Sequence, residues 1–233
     1  MMQKYLSLYP LPINFVLMKP WFFIFFLLPL LGFAYVVWHV WQILPMSPSW
    51  KGAVVGLMSL SVVCLFSHFL IGPDSLPLAA GRVVYEVGTS SLFILLYLVM
   101  IFLLLDIGRL VRLVPPSFLH HSVAGSVGIL LFVCALFVYA NANYRNKQMR
   151  TMELHAARPL SSPMRIVMLS DMHIGYHNPV KELARWVDMI NAASPDVVLI
   201  AGDIIDGSMK PLREENMAAE FRRIKAPVYA CPG

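Results

Sequence analysis

Two stretches decide the fold: "RIVMLSDMHIG", residues 165–175, and "PDVVLIAGDIIDG", residues 195–207. Each opens on a short, nearly continuous apolar run and closes on polar residues beside glycine. Strands with one solvated face alternate apolar and polar residues, whereas strands of a covered parallel sheet read as unbroken apolar runs. The spacing therefore predicts buried strands over 165–170 and 196–201. Between them, Asn178 and Pro179 read as a helix N-cap followed by proline at the first helical position. Val180, Leu183, Ala184, Val187 and Ile190 then recur at helical spacing, which predicts an amphipathic helix over 179–193, ended by Ser194 and Pro195. A second, charged helix is expected from Pro211 to about Lys225, with Leu212, Met217, Ala218 and Phe221 on its apolar face. A third strand over 227–231 lies within "APVYACPG", residues 226–233.

The order is β-α-β-α-β, which implies a parallel sheet covered by helices on both faces. Such sheets bind ligands beyond the carboxyl ends of their strands. Beyond the first strand stand Asp171 and His173. Beyond the second stand Gly202, which lets the backbone turn tightly, and Asp203. Two carboxylates and an imidazole converging on one edge suit a divalent metal of the Mn, Fe or Zn type. Asp203 has two oxygens and could bridge a pair of ions about 3.5–4 Å apart, as in phosphatases. A D-x-H triplet also arises by chance, and an aspartate after a strand often only shapes a turn. Two such placements on adjacent strand ends favour the metal site.

These blocks together resemble the calcineurin-like metallophosphoesterase family, whose pattern runs D-x-H, G-D-x-x-D, G-N-H-[D/E], a later histidine and G-H-x-H. Asp171, His173, Gly202, Asp203 and Asp206 match the first two blocks, and the resemblance covers about residues 164–233. It implies an α/β metallophosphoesterase domain that hydrolyses phosphoesters with water activated by two divalent metal ions. It further implies that Asp171 and His173 bind the first metal and that Asp203 bridges both. Gly202 would permit the close turn, and Asp206 would support the loop through hydrogen bonds. Met172, between two ligands, should turn into the apolar layer. His177, in the loop of Gly175 to Asn178, is read as a solvated histidine or, less simply, as a substrate contact.

The third strand runs into Cys231, Pro232 and Gly233 where the family carries G-N-H, and the later histidines are not in the sequence. The expectation is a C-terminally truncated, N-terminal fragment of a longer enzyme, inactive alone, with only the first β-α-β-α-β portion of the domain. No catalytic proton donor can be assigned within it.

Charge divides the chain sharply. Residues 1–144 hold nine charged side chains, whereas residues 145–233 hold twelve Lys/Arg and ten Asp/Glu. The net +5 sits largely beside apolar segments, and the second part is close to balance, so no nucleic-acid partner is indicated. Three cysteines, two of them inside apolar runs, support neither a disulfide framework nor a zinc ribbon. Four uncharged runs, at roughly 21–43, 53–72, 87–105 and 122–140, reach spanning length, since a bilayer core about 30 Å thick needs about 20 apolar residues as helix. The first could instead be read as a signal peptide. It is long, rich in Trp and Phe, and lacks an A-x-A site.

Hence a four-helix transmembrane region over 1–144, a linker over 145–164 and the front of an α/β domain over 165–233 are predicted. Trp21, Trp38, Trp41 and Trp50 suit an interfacial aromatic belt, and Pro29 could kink the first helix. Four spans put both termini on one side, with Lys4, Lys19, Arg82, Arg145, Lys147 and Arg150 against Lys51, Arg109 and Arg112 on the other. Six against three favours a cytoplasmic soluble part, on an inner or plasma membrane. His39, His68, Glu86 and Asp106 are ionisable groups in or near the spans. A small transporter using Glu86 and Asp106 is disfavoured because both sit near the ends of their run, and Asp106 can pair locally with Arg109. The leading reading is a membrane-anchored phosphoester hydrolase, with a lipid-linked substrate as one option. The alternative is a non-enzymatic membrane protein carrying a degenerate, phosphoesterase-like interaction domain.

Overall fold

The computed structural model describes residues 20–155 and 161–231, without the side chains of residues 20–26, 68 and 69. The readings placed on Lys4, Lys19, Pro232 and Gly233 therefore lie outside the described residues, and those on the Trp21 and His68 side chains outside the described side chains. Four long helices come first: α1 (Pro20–Ile43), α2 (Pro48–Leu70), α3 (Leu78–Leu110) and α4 (Val123–Arg145). By length and composition α2, α3 and α4 can each cross a membrane, whereas the described apolar part of α1, Leu27–Ile43, falls short of a span. Leu57, Leu104, Phe132 and Val138 stay exposed on these helices, as lipid-facing side chains do. Trp38, Trp41 and Trp50 are exposed near helix ends, where an aromatic belt would place them.

The chain forms two compact units. One holds α1 with Leu95–Val127, and the other holds Ser47–Ile94 with the chain from Gly128 onward. In the first unit, Gly32 lies against Val99, and a Cβ there would stand 3.3 Å from its side chain. Asp106 does not take the local partner expected for it. Among the described ion pairs it meets His39 at 3.0 Å, and it also accepts a hydrogen bond from Tyr35 at 2.7 Å. The buried His39 ring stacks on Phe102 at 4.5 Å. Helix periodicity could not display these partners, because they are 67 and 71 residues away in sequence.

In the second unit, α2 and the start of α3 pack backbone to backbone. A Cβ on Gly88 would fall 2.9 Å from the Leu65 Cα and N, so only glycine fits. Ser91, one turn further on α3, donates to Ser61 O of α2 at 3.2 Å, a contact of small residues typical of helices paired in lipid.

The same unit carries a three-stranded parallel sheet in the order β1 (Ile166–Ser170), β2 (Val197–Ala201) and β3 (Val228–Cys231). Helix α5 (Val180–Ala192) links β1 to β2, and the short α6 (Lys210–Glu214) and α7 (Met217–Phe221) link β2 to β3. Leu183, Val187 and Ile190 of α5 pack on Val198 and Ile200, with Met172, Ile174 and Met217 completing the core.

Three expectations are corrected. The sheet is covered on one face among the described residues, not on both: Ile166, Met168 and Tyr229 are 50%, 68% and 64% exposed. Strand order follows chain order, and crossovers of one hand along one direction put every helix on the same face. Asn178 does not cap α5. Pro179 is the N-cap residue, and the first helical N–H, that of Val180, donates to the Glu215 carboxylate at 3.0 Å. Finally, the helix expected over 211–225 is two short helices, broken where Asn216 takes a left-handed φ of 49°.

Candidate metal centre

The chain leaves β1 at Ser170 and β2 at Ala201, two residues directly paired across the sheet. Both exits bend at once into left-handed backbone. Asp171 and His173 have φ of 53° and 41°, and Gly202 and Asp203 have φ of 69° and 40°. Glycine reaches this region without steric cost, most other residues pay about 1–2 kcal/mol, and aspartate, asparagine and histidine are the side chains met there most often. Strain of this kind gathers at functional loops and persists where surrounding bonds enforce it.

Those bonds are present here. The His173 N–H donates to Asp203 O at 2.9 Å and the Ile174 N–H to Ile204 O at 2.9 Å. The Asp206 N–H donates back to Ile174 O at 3.0 Å, so the two exit loops are laced together past the end of the sheet. Gly202 N–H reaches Cys231 O of β3 at 3.2 Å. Buried Asn178 donates through Nδ2 to Met172 O at 3.0 Å and to His173 O at 3.2 Å. Its Oδ1 accepts from the Tyr144 hydroxyl at 2.9 Å.

The lacing brings Asp171, His173 and Asp203 together. One ligand atom from each lies within 4.8 Å of the others, and all three residues are exposed. His173 Nε2 stands 3.9 Å from Asp203 Oδ2. Ligand bonds of about 2.1 Å at tetrahedral angles put two donors about 3.4 Å apart, so a contraction of at most about 1.4 Å brings the set to ligand geometry. The donor chemistry, one imidazole and two carboxylates, fits a Mn, Fe or Zn type ion. Met172, between two of these residues, is 3% exposed and belongs to the core, as expected.

Asp206 lies outside this set. Its carboxylate accepts the Tyr85 hydroxyl at 2.5 Å. His177 is not a freely solvated loop residue: its Nδ1 faces Glu86 Oε1 at 3.5 Å and its ring lies 5.2 Å from that of Tyr144. Sequence reasoning missed Asn178 as the brace of the His173 loop, because Asn-Pro before an apolar run reads first as a cap. It also missed Tyr85 and Tyr144, which sit in apolar helices far along the chain and carry no local signal.

Comparison with known proteins bears on this geometry. Residues 164–233 match the calcineurin-like phosphoesterase family, and this bears out the resemblance of the two motifs. An uncharacterized metallophosphoesterase of Campylobacter jejuni is 32% identical over 85 residues, 36% of this chain and 23% of that protein. A transmembrane protein with metallophosphoesterase domain from Danio rerio is 44% identical over 50 residues, 22% of this chain and 11% of that protein. A putative metallophosphoesterase of Caenorhabditis elegans is 40% identical over 76 residues, 31% of this chain and 15% of that protein. The chain thus spans less than a quarter of each of these relatives, and no solved structure matches it.

Proposed function

We propose that this chain is the membrane-anchored, ligand-bearing front of a metal-dependent phosphoester hydrolase. The observation that carries the reading is the meeting of Asp171, His173 and Asp203 within 4.8 Å, past the carboxyl ends of two paired parallel strands. In this reading Asp171, His173 and Asp203 would hold the divalent metal. A divalent ion held there would supply positive charge against the oxygens of a phosphoester. The chain's own residues orient the donors: Asn178 fixes the His173 loop, Gly202 permits the turn into Asp203, and Asp206 ties the second loop back.

The resemblance calls for further histidine ligands and a proton donor that these 233 residues do not include. The proposal therefore assigns this chain metal binding by three donors, and assigns turnover to a domain in which the later ligand blocks are also present. Helices α2, α3 and α4 make a membrane the natural partner. A phosphoester presented at a membrane surface, lipid-linked substrates included, is the substrate class we favour, with the domain on the cytoplasmic side. The test is Mn²⁺ titration of the protein in lipid nanodiscs. Wild type should bind Mn²⁺ and Asp203→Ala should lose at least tenfold in affinity, in line with the removal of a direct ligand. Equal titrations of the two proteins would sink the site assignment. A protein that folds stably in membranes yet never binds metal would favour the interaction-domain alternative.

A further inference from the structure

We propose that Tyr85, on the opening turns of the apolar helix α3, is a positioning residue for the metal centre and acts through Asp206. The inference rests on the reading of Asp171, His173 and Asp203 as metal ligands. Asp206 follows Asp203 by three residues in the same exit loop. Its backbone N–H bonds Ile174 O, one residue past His173, and its side chain bonds Tyr85. A Cβ on Gly175 would lie 3.4 Å from the Asp206 Cβ, so the two exit loops touch at this point. A shift of Asp206 therefore reaches both loops that carry the donors.

Tyr85 can hold Asp206 only if Tyr85 is itself held, and the surrounding contacts do this. Its ring stacks on Tyr176 with centroids 5.7 Å apart and planes 22° apart. Tyr176 is fully buried and donates to Asp74 at 2.9 Å, in the linker before α3. Arg82, one turn before Tyr85 on α3, donates to Tyr176 O at 3.2 Å and to Glu215 at 2.8 Å. Gly81 brings the helix close: a Cβ there would stand 3.0 Å from the Tyr176 ring and 2.8 Å from Pro73 O. On the far side of Asp206, the Ser208 hydroxyl donates to Asp74 Oδ1 at 2.6 Å, and Lys210 Nζ donates to Asp74 O at 3.0 Å. The loop that carries Asp203 is thus gripped at positions 206, 208 and 210 by the start of α3 and its linker. Among these grips, the Tyr85 hydroxyl is the one that meets the loop nearest Asp203.

A plain docking contact makes a different prediction from a positioning one. Tyr85→Phe keeps the ring stacked on Tyr176 and removes only the hydroxyl. Partners outside the ligand shell typically change metal affinity by about 10–100-fold, and Tyr85 stands one contact further out, so a loss of about 3–10-fold is expected. The experiment is Mn²⁺ titration of the whole chain in nanodiscs, read by electron paramagnetic resonance, for wild type, Tyr85→Phe, Asp206→Asn and the double variant. Thermal midpoints are measured without metal. The proposal expects weaker Mn²⁺ binding in Tyr85→Phe with little change in metal-free midpoint. It also expects the double variant to bind no more weakly than Asp206→Asn alone. A Tyr85→Phe titration equal to wild type, or losses that add in the double variant, overturns it. Should Tyr85→Phe fail to fold, Asp206→Asn still decides: unchanged Mn²⁺ affinity there removes the route through which Tyr85 acts. Absence of any Asp203-dependent Mn²⁺ signal in wild type overturns this proposal together with the metal reading beneath it, and is distinguishable from the other outcomes.

Discussion

Tyr176 is a buried phenol whose hydroxyl ends on the Asp74 carboxylate. Burial first, and then the hydrogen bond and negative charge of Asp74, push its pKa from 10.0 up to about 12. The folded protein holds this proton more tightly than the unfolded chain. The contribution to stability is therefore complete below about pH 10 and is lost as pH rises toward about 12. Tyr176→Phe should make alkaline unfolding shallower across that window, followed by tyrosinate absorbance and circular dichroism together. An unchanged alkaline profile would mean that the hydroxyl does not couple folding to pH. At this scale the donor set was legible and its supports were not. Asp171, His173 and Asp203 announce themselves because each follows an apolar run by one to three residues. Asn178 and Tyr85 act through contacts that only the folded chain creates, the second with a partner 121 residues away.

Among the elements, β1 and β2 were readable because parallel strands need continuous apolar residues, and their ends fixed where to look for chemistry. The region between β2 and β3 was misread as one helix. Leu212, Met217 and Phe221 do keep helical spacing, but Asn216 interrupts them with φ of 49° and restarts the next helix by accepting the Ala219 N–H at 2.9 Å. Asparagine is among the few residues that tolerate this conformation, whereas a β-branched residue does not. Asn216→Val should destabilise the α6–α7 corner by about 1–2 kcal/mol, and Asn216→Gly should be close to neutral. Proteolysis rates within residues 210–231 report the difference, and equal rates for the two variants would refute the strain argument. The one-sided sheet was not readable from the strands at all. It follows from strand order, which no single apolar run encodes.

For the whole molecule, the charge division between residues 1–144 and 145–233 carries the orientation argument. If all four apolar runs cross the membrane, Lys4, Lys19, Arg82, Arg145, Lys147 and Arg150 fall on the side of the soluble part against Lys51, Arg109 and Arg112, and a reporter fused after Asn143 is then expected to be active in the cytoplasm. A reporter active only outside the membrane would reverse the topology. The left-handed backbone at positions 171, 173 and 203 has a consequence for how such a protein drifts under selection. His173 stands at φ of 41°, where glycine or asparagine folds at less cost, and on the proposed reading its imidazole is a metal ligand. A population selected for heat resistance alone, in medium stripped of divalent ions, should accumulate glycine or asparagine there. On the proposed reading the same substitution would remove a metal donor, so that robustness and metal binding pull this residue in opposite directions.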